Sequence, residues 1–185
     1  MLDKTIGDVL DDIALKYPEN DALVYVNRNL RMNYKEFRAK CEKIAKGLMA
    51  LGIKKGDHIA VWAYNVPEWV LLQFASAKIG AVLVTVNTYY KSHELKYLLE
   101  QSDSTSLFLV GVFKDVNYVD MVYKVLPELK NTEPGKLNSK KLPYLKNIVF
   151  IGEDTPKGMF NFENVIDLHE KISDDELKKR QDSLD

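Results

Sequence analysis

The chain has 185 residues, of which 46% are hydrophobic and 29% charged, so it is long enough to bury one substantial core and has an ordinary globular composition. Its formal net charge of -1 excludes a strongly basic surface, and no nucleic acid is expected as a partner. No apolar run is long enough to span a membrane, no secretion signal opens the chain, and the single cysteine permits no internal disulfide. These features predict a cytoplasmic protein.

Residues 1–57 are predicted to form a helix, a small β-hairpin and a second helix. Thr5 can cap the first helix, because an acidic residue follows three positions later and apolar residues then recur at helical spacing until Pro18. Two short β-prone runs flank the polar residues 27–29, which indicates a hairpin. Residues 34–51 carry one apolar stripe, as expected of a helix that packs on a core by one side.

Residues 58–151 contain four nearly continuous apolar runs: HIAVWA, AVLVTV, SLFLV and NIVFI. A half-exposed antiparallel strand would alternate polar and apolar residues, whereas continuous runs fit strands that a sheet buries on both faces. Segments with helical patterns separate the runs, so the order is β-α-β-α-β-α-β. The predicted fold class is therefore α/β, a doubly wound and mainly parallel sheet with the N-terminal helix and hairpin in front of it.

The later part of the chain is predicted to be less regular. Residues 131–143 are rich in Pro, Gly, Asn, Ser and Lys without periodicity, which predicts an exposed loop. Residues 152–185 are mostly charged and are interpreted as a connecting segment. Within them, acidic residues 174–176 precede basic residues 178–180, which favours a short surface helix because this order suits the helix dipole. All 185 residues are interpreted as one subdomain.

The usual catalytic and metal-binding patterns are not found in this sequence. The nine glycines form neither G-x-G-x-x-G nor a Walker loop, and Gly135-Lys136 is most simply part of an ordinary loop. Cys41 lies on an apolar stripe, where a thiol is a core residue with a raised pKa. The histidines have no cysteine or carboxylate at metal-ligand spacing; they are His58, His93 and His169. We therefore predict no catalytic residue and no metal site in the chain.

Two loops leave the carboxyl ends of predicted strands, where open parallel sheets bind ligands. Residues 65–68 are interpreted as a helix start, because the carboxylate of Glu68 would repel phosphate. Residues 87–92 are the better ligand candidate, since Tyr89, Tyr90 and Lys91 precede a helix N-terminus and together could hold an aromatic ring and a phosphate. The alternative is that the tyrosines pack on the next layer and the lysine is solvated.

Several segments, in their order and spacing over about residues 1–151, resemble the N-terminal region of AMP-forming acyl-CoA synthetases, which belong to the adenylate-forming superfamily. The resemblance is strongest to the branch that acts on medium- and long-chain fatty acids. The segments that carry it are LGIKKGD at 51–57, NVPEW at 65–69, AKIGAV at 77–82 and the stretch from Asn87 to Leu95.

The resemblance implies a two-step reaction with ATP, CoA, Mg²⁺ and a small-molecule carboxylate. The family's phosphate loop, of the form TSGTTGxPKG, is absent from the 185 residues, as are its later catalytic motifs. The chain is thus expected to be an inactive N-terminal fragment that stops just before this loop and binds no cofactor tightly alone. In some relatives the loop matching 87–92 lies near the CoA nucleotide, so Tyr89 and Lys91 are the expected CoA contacts of the complete enzyme.

Two other interpretations compete with the synthetase fragment. One is a stand-alone flavodoxin-like or receiver-like ligand-binding domain, although Val66-Pro67 stands where a flavodoxin would have a Ser/Thr/Gly-rich loop. The other is an interaction domain that uses the apolar segment 67–86. The sequence leaves acyl chain length and oligomeric state open.

Overall fold

A computed structural model describes residues 4–184, which form two compact units. The helical unit comprises residues 4–56, 65–81 and 165–184, and the sheet unit comprises Asp57–Tyr64 and Val82–Asn164. Among the described residues, no helix is both long enough and apolar enough to cross a membrane.

The helices, in chain order, are α1 (Ile6–Lys16), α2 (Tyr34–Ala50), α3 (Pro67–Lys78), α4 (Ser92–Gln101), α5 (Tyr118–Val125), α6 (Phe162–Asp167) and α7 (Asp174–Asp182). The strands are β1 (Asp21–Tyr25), β2 (Leu30–Asn33), β3 (His58–Trp62), β4 (Val82–Thr85), β5 (Ser106–Val110), β6 (Val112–Phe113), β7 (Val116–Asn117), β8 (Asn147–Ile151) and β9 (Phe160–Asn161). Short 3₁₀ segments lie at Val26–Arg28, Pro127–Asn131 and Leu168–Lys171.

The helix starts of the N-terminal region follow local capping chemistry. The Thr5 hydroxyl accepts a hydrogen bond from the backbone N–H of Asp8 (3.1 Å), and the Asp8 carboxylate accepts one from the backbone N–H of Thr5 (3.1 Å). Asn33 and Glu36 make the same reciprocal pair at the start of α2. Because these partners lie three residues apart in the sequence, the helix starts are encoded locally, and the predicted helix, hairpin and helix are confirmed.

The sheet unit contains a five-stranded parallel sheet in the order β4-β3-β5-β8-β9, which confirms the predicted α/β class with a parallel sheet. Every residue of β5 and β8 is buried, as the continuous apolar runs predict. The fifth strand, β9, was not predicted, because two residues are too few to show a periodicity.

One prediction about burial in the sheet unit is wrong, and another holds with exceptions. The strand β4 was expected to be covered on both faces, but it is an edge strand and the Val82 side chain is 46% exposed. Its apolar run resembles those of the central strands, so the sequence did not reveal its edge position. The loop 131–143 was expected to be exposed, and most of its residues are, although Leu137 and Leu142 are buried and anchor it. The burial of these leucines could not be predicted, because isolated apolar residues form no periodic pattern.

The helical unit contains a cluster of four charged side chains, which we call the charge cluster: Asp11, Arg38, Glu42 and Lys78. The Lys78 side chain is fully buried, and its Nζ lies 2.6 Å from Asp11 Oδ1 and 3.7 Å from Glu42 Oε1. The guanidinium of Arg38 contacts the same two carboxylates, with Nε 2.6 Å from Asp11 and Nη2 2.9 Å from Glu42. These contacts join α1, α2 and α3 by charge-assisted hydrogen bonds.

Candidate functional site

Three loops meet at the carboxyl ends of β3, β4 and β5, which are neighbours in the parallel sheet. The first is the residue pair 63–64 after β3, and the second is the loop 86–91 after β4. The third follows β5 and carries the small hairpin β6–β7. Ligands of open parallel sheets bind at this edge. Its central residues form what we call the edge cluster: Tyr64, Tyr89, Phe113 and Lys114.

The edge cluster combines aromatic rings with one cation. Tyr64 stacks on Phe113 with ring centroids 5.3 Å apart and planes at 21°, and Tyr89 meets Phe113 edge to face at 6.4 Å and 78°. The Nζ of Lys114 donates a hydrogen bond to the hydroxyl of Tyr89 (2.8 Å) and lies 5.2 Å and 5.4 Å from the ring centroids of Tyr89 and Phe113. The hydroxyl of Tyr89 holds the ammonium group at the edge of its own ring, and the Phe113 ring attracts the cation by its quadrupole. Since Tyr89 is 64% exposed, the cluster is open to a ligand.

Two buried aromatic residues support the loop 86–91 of the sheet unit. Trp62 and Tyr118 are stacked with centroids 3.9 Å apart and planes at 6°. Trp62 Nε1 donates to the Asn87 carbonyl (3.0 Å), and the Tyr118 hydroxyl donates to the Thr88 carbonyl (2.8 Å). Burial, with a smaller contribution from Tyr89, raises the pKa of Tyr118 to about 12. The hydroxyl therefore stays protonated at neutral pH and remains a donor.

Of the predicted site residues, Tyr89 belongs to the edge cluster and Lys91 does not. The Lys91 side chain is exposed, and no hydrogen bond or ion pair joins its ammonium group to the rest of the described chain. Its backbone N–H donates to Glu94 Oε2 (2.7 Å), so a carboxylate occupies the first turn of α4. That negative charge opposes the phosphate binding at this helix N-terminus which the sequence suggested. The cation beside Tyr89 is Lys114.

The other singled-out residues have ordinary structural roles. The Nδ1 atom of His58 is hydrogen-bonded to the Ser102 carbonyl, and that of His169 to the Ile166 carbonyl. Cys41 is buried, and this burial raises its pKa to about 12, as its apolar position predicted. No group of three or more His, Cys, Asp or Glu side chains within residues 4–184 could hold a metal ion.

The loop 65–68 takes the helix-initiating role that the sequence favoured. Pro67 is the first residue of α3, where its missing N–H costs nothing. The Oε1 atom of Glu68 accepts a hydrogen bond from Arg28 (2.6 Å), within the helical unit. The carboxylate is therefore tied to a cation of the chain itself, and the loop presents no anion site.

Sequence reasoning missed Phe113 and Lys114, although they are half of the edge cluster. Their hairpin has only two residues in each strand, and its turn lacks the Asn-Gly or Asp-Gly pair that marks a tight hairpin. The available signal was the apolar Val112-Phe113 pair followed by the polar Lys114-Asp115 pair, directly after a buried strand. Phe113 and Lys114 become part of a site only because the folded hairpin lies beside the loop 86–91, where both residues contact Tyr89.

The fold and the edge cluster define an α/β protein with a candidate site for a planar, anionic ligand at the carboxyl edge of a parallel sheet. The family profile described as AMP-binding enzyme matches residues 10–171, and the chain therefore belongs to this family. The stand-alone flavodoxin-like interpretation is accordingly unsupported.

Relatives with curated names agree with this family. The chain is 46% identical over its whole length to the protein named putative acyl-CoA synthetase YngI from Bacillus subtilis (strain 168), and it spans 34% of that protein. It is 35% identical over 156 residues to the medium-chain acyl-CoA ligase ACSF2, mitochondrial, of Mus musculus, with 84% of this chain and 25% of the relative covered. The chain thus spans about a third or less of the length of these relatives, as expected for a fragment of a synthetase.

Solved structures show the same fold. One is described as a putative long-chain-fatty-acid CoA ligase from Rhodopseudomonas palustris CGA009; it superposes with a TM-score of 0.72 and 26% identity, over 89% of this chain and 36% of that chain. Another is the N-terminal domain of FACL13 from Mycobacterium tuberculosis, with a TM-score of 0.64 and 23% identity, over 98% of this chain and 36% of that chain. The predicted likeness to the N-terminal domain of adenylate-forming enzymes is confirmed at the level of the fold.

Proposed function

We propose that this chain is the N-terminal subdomain of an AMP-forming acyl-CoA synthetase that acts on a medium- or long-chain carboxylic acid. The observation that carries the proposal is the 46% identity, over the entire chain, to a relative named as an acyl-CoA synthetase. The named mammalian relatives suggest a medium-chain acid as the first substrate to test. The cytoplasmic location stays a prediction, since those relatives are named as mitochondrial.

The proposed reaction has two steps. An oxygen of the substrate carboxylate attacks the α-phosphorus of ATP, and the bond from that phosphorus to pyrophosphate breaks, which gives an acyl-adenylate. The thiol of CoA then attacks the acyl carbon and loses its proton, and AMP departs with the bonding electron pair. Mg²⁺, when bound with the nucleotide, would neutralise charge on the phosphates. The described residues contain no metal site that fits Mg²⁺, so we assign this chain no step that involves the ion.

The contribution of this chain is proposed to be the edge that receives the CoA nucleotide. Tyr89 is exposed, its ring meets that of Phe113 edge to face, and a cation contacts its hydroxyl. These features suit an adenine ring that carries phosphates. Lys91 is proposed as a second contact from its place in the same exposed loop. The buried Trp62–Tyr118 pair would keep this loop in position when the ligand binds.

The test compares the product of the complete gene with the chain of 185 residues. Each is incubated with ATP, Mg²⁺, CoA and a series of fatty acids, and acyl-CoA and AMP are quantified by chromatography with mass detection. The complete product is expected to form acyl-CoA and AMP in equal amounts, and the 185-residue chain neither. Formation of ADP in place of AMP, or no thioester from any acid, would refute the proposal. Thioester formation by the 185-residue chain alone would refute its role as a subdomain.

A further inference from the structure

We infer that Lys114, which lies outside the loop 86–91, is the cation that binds a phosphate group of the nucleotide ligand at the edge cluster. Lys114, rather than Lys91, is then the charged residue that decides the affinity of this edge for CoA. This inference rests on the proposed function, and it adds a residue that the sequence did not single out.

The position of the Lys114 ammonium group is the first argument. Its Nζ is held by the Tyr89 hydroxyl at 2.8 Å and lies over the ring of Phe113, 5.4 Å from its centroid. A hydroxyl and an aromatic ring hold an ammonium group in place without neutralising its charge. An adenine ring that stacks on the exposed face of Tyr89 would bring its attached phosphates to this cation.

The absence of a competing carboxylate is the second argument. Within residues 4–184, no ion pair joins Lys114 to an acidic side chain, including that of the neighbouring Asp115. Lys91 differs, because its own backbone N–H is bonded to the Glu94 carboxylate, whose charge repels an anion. Of the two lysines, Lys114 therefore has the more favourable surroundings for a phosphate.

The backbone of the hairpin turn is the third argument. Lys114 has a φ of 51°, which is a left-handed backbone conformation. Residues other than Gly, Asn and Asp adopt this conformation at a cost in free energy. A glycine or asparagine would form this turn with less strain. The strained lysine is accounted for if its ammonium group has a role at the edge cluster.

The expected effect is that of one charge-assisted hydrogen bond at a partly exposed site. Lys114→Gln keeps most of the side-chain length and removes the charge, and it should weaken CoA binding roughly five- to tenfold. Lys114→Arg keeps the charge and should retain most of the affinity. Lys91→Gln should weaken binding less than Lys114→Gln. Lys96→Gln, on the exposed face of α4 and paired with Glu100, is the matched control and should change binding less than twofold.

The experiment is a titration of the 185-residue chain with CoA at millimolar concentration, followed by ¹⁵N NMR. Amide signals of residues 89, 113 and 114 are expected to shift, and the dissociation constant should rise with salt, because the contact is ionic. The same titration with 3′-dephospho-CoA locates the contact. If Lys114→Gln loses affinity for CoA but not for 3′-dephospho-CoA, the lysine contacts the 3′-phosphate. If it loses affinity equally for both ligands, the lysine contacts the diphosphate bridge.

The inference is overturned if these amide signals do not shift, or if Lys114→Gln binds CoA as tightly as the unaltered chain. It is also overturned if Lys91→Gln has the larger effect. Because this readout is binding, it does not depend on turnover. A complete gene product that forms no acyl-CoA would overturn the proposed function and leave the result for Lys114 standing.

Discussion

The helical unit and the sheet unit use polar side chains in opposite ways. In the helical unit, charged side chains lie inside, where the buried ammonium of Lys78 contacts the carboxylates of Asp11 and Glu42. In the sheet unit, the central strands are apolar, and the polar atoms of the buried aromatics Trp62 and Tyr118 point to carbonyls of the edge loop. Removing a polar group should therefore affect global stability in the helical unit and the order of one loop in the sheet unit.

This difference teaches where ligand-binding residues are to be found in the chain. The charge cluster has charged groups of the kinds that active sites use, yet its opposite charges compensate one another inside a packed helical unit. The edge cluster has fewer charged groups, but its cation is not compensated by a carboxylate among the described residues, and its rings are accessible. Exposure and incomplete compensation, rather than the number of charges, distinguish the candidate site.

The largest expected effect comes from truncating the buried lysine of the charge cluster. Lys78→Ala leaves Asp11 and Glu42 near each other with only Arg38 to compensate them, and it removes a fully buried side chain. The free energy of unfolding should fall by about 3 kcal/mol. Urea denaturation followed by circular dichroism measures this value.

The matched control for this variant is Lys96→Ala, whose ion pair with Glu100 lies on an exposed helix face of the sheet unit. It should change stability by less than about 0.5 kcal/mol. Similar losses in the two variants would mean that the charge cluster is no more important than a surface pair, and the comparison of the two units would fail.

The next effect concerns the pH dependence of the same cluster. Burial alone would raise the pKa of Asp11, but hydrogen bonds from Lys78 and Arg38 outweigh it and hold this pKa below the ordinary value of 3.8. The ionised carboxylate stabilises the folded chain fully when the pH is above the ordinary pKa of 3.8, which applies to the unfolded chain. This stabilisation is lost as the pH falls through the lower pKa of the folded state. Asp11→Asn should cost about 2 kcal/mol at neutral pH and flatten the stability profile below pH 3.8. Denaturation midpoints over a pH series measure both changes.

Asp12→Asn serves as the control for that series, because Asp12 is an exposed neighbour of Asp11 on α1. Its pH profile should follow that of the unaltered chain. An unaltered acid limb in Asp11→Asn would show that this carboxylate does not control the pH dependence.

The smallest expected effect is in the sheet unit. Tyr118→Phe keeps the stacking on Trp62 but removes the hydrogen bond to the Thr88 carbonyl, which should cost about 1 kcal/mol. Hydrogen exchange of residues 87–91 should accelerate more than that of the central strands, because the lost bond holds this loop alone. Tyr144→Phe, at an exposed site, should change neither quantity. Uniform acceleration over the whole unit would show that the loop is not a separately held element.

Much of the fold could be predicted because its signals are local or periodic. The capping pair of Thr5 and Asp8 lies within one helical turn, and the runs of β5 and β8 are apolar at every position or nearly so. The site could be predicted only in part. Tyr89 was found because its loop follows a strand, whereas Lys114 was missed because a hairpin of two-residue strands has no period to recognise. Lys78 was interpreted as part of a family segment and as a charge that interrupts an apolar run, and nothing in its local sequence marked it as buried.

The amino-acid sequence by itself determined most of the helices, the parallel α/β class and the resemblance to acyl-CoA synthetases, because caps, apolar runs and segment order are properties of residues near one another in the chain. The tertiary structure alone decided that β4 is an edge strand, that Lys78 is enclosed by carboxylates, and that Lys114 rather than Lys91 contacts Tyr89. These facts depend on which distant segments pair and pack, and the free energy of such contacts is set by burial and geometry that no local pattern records.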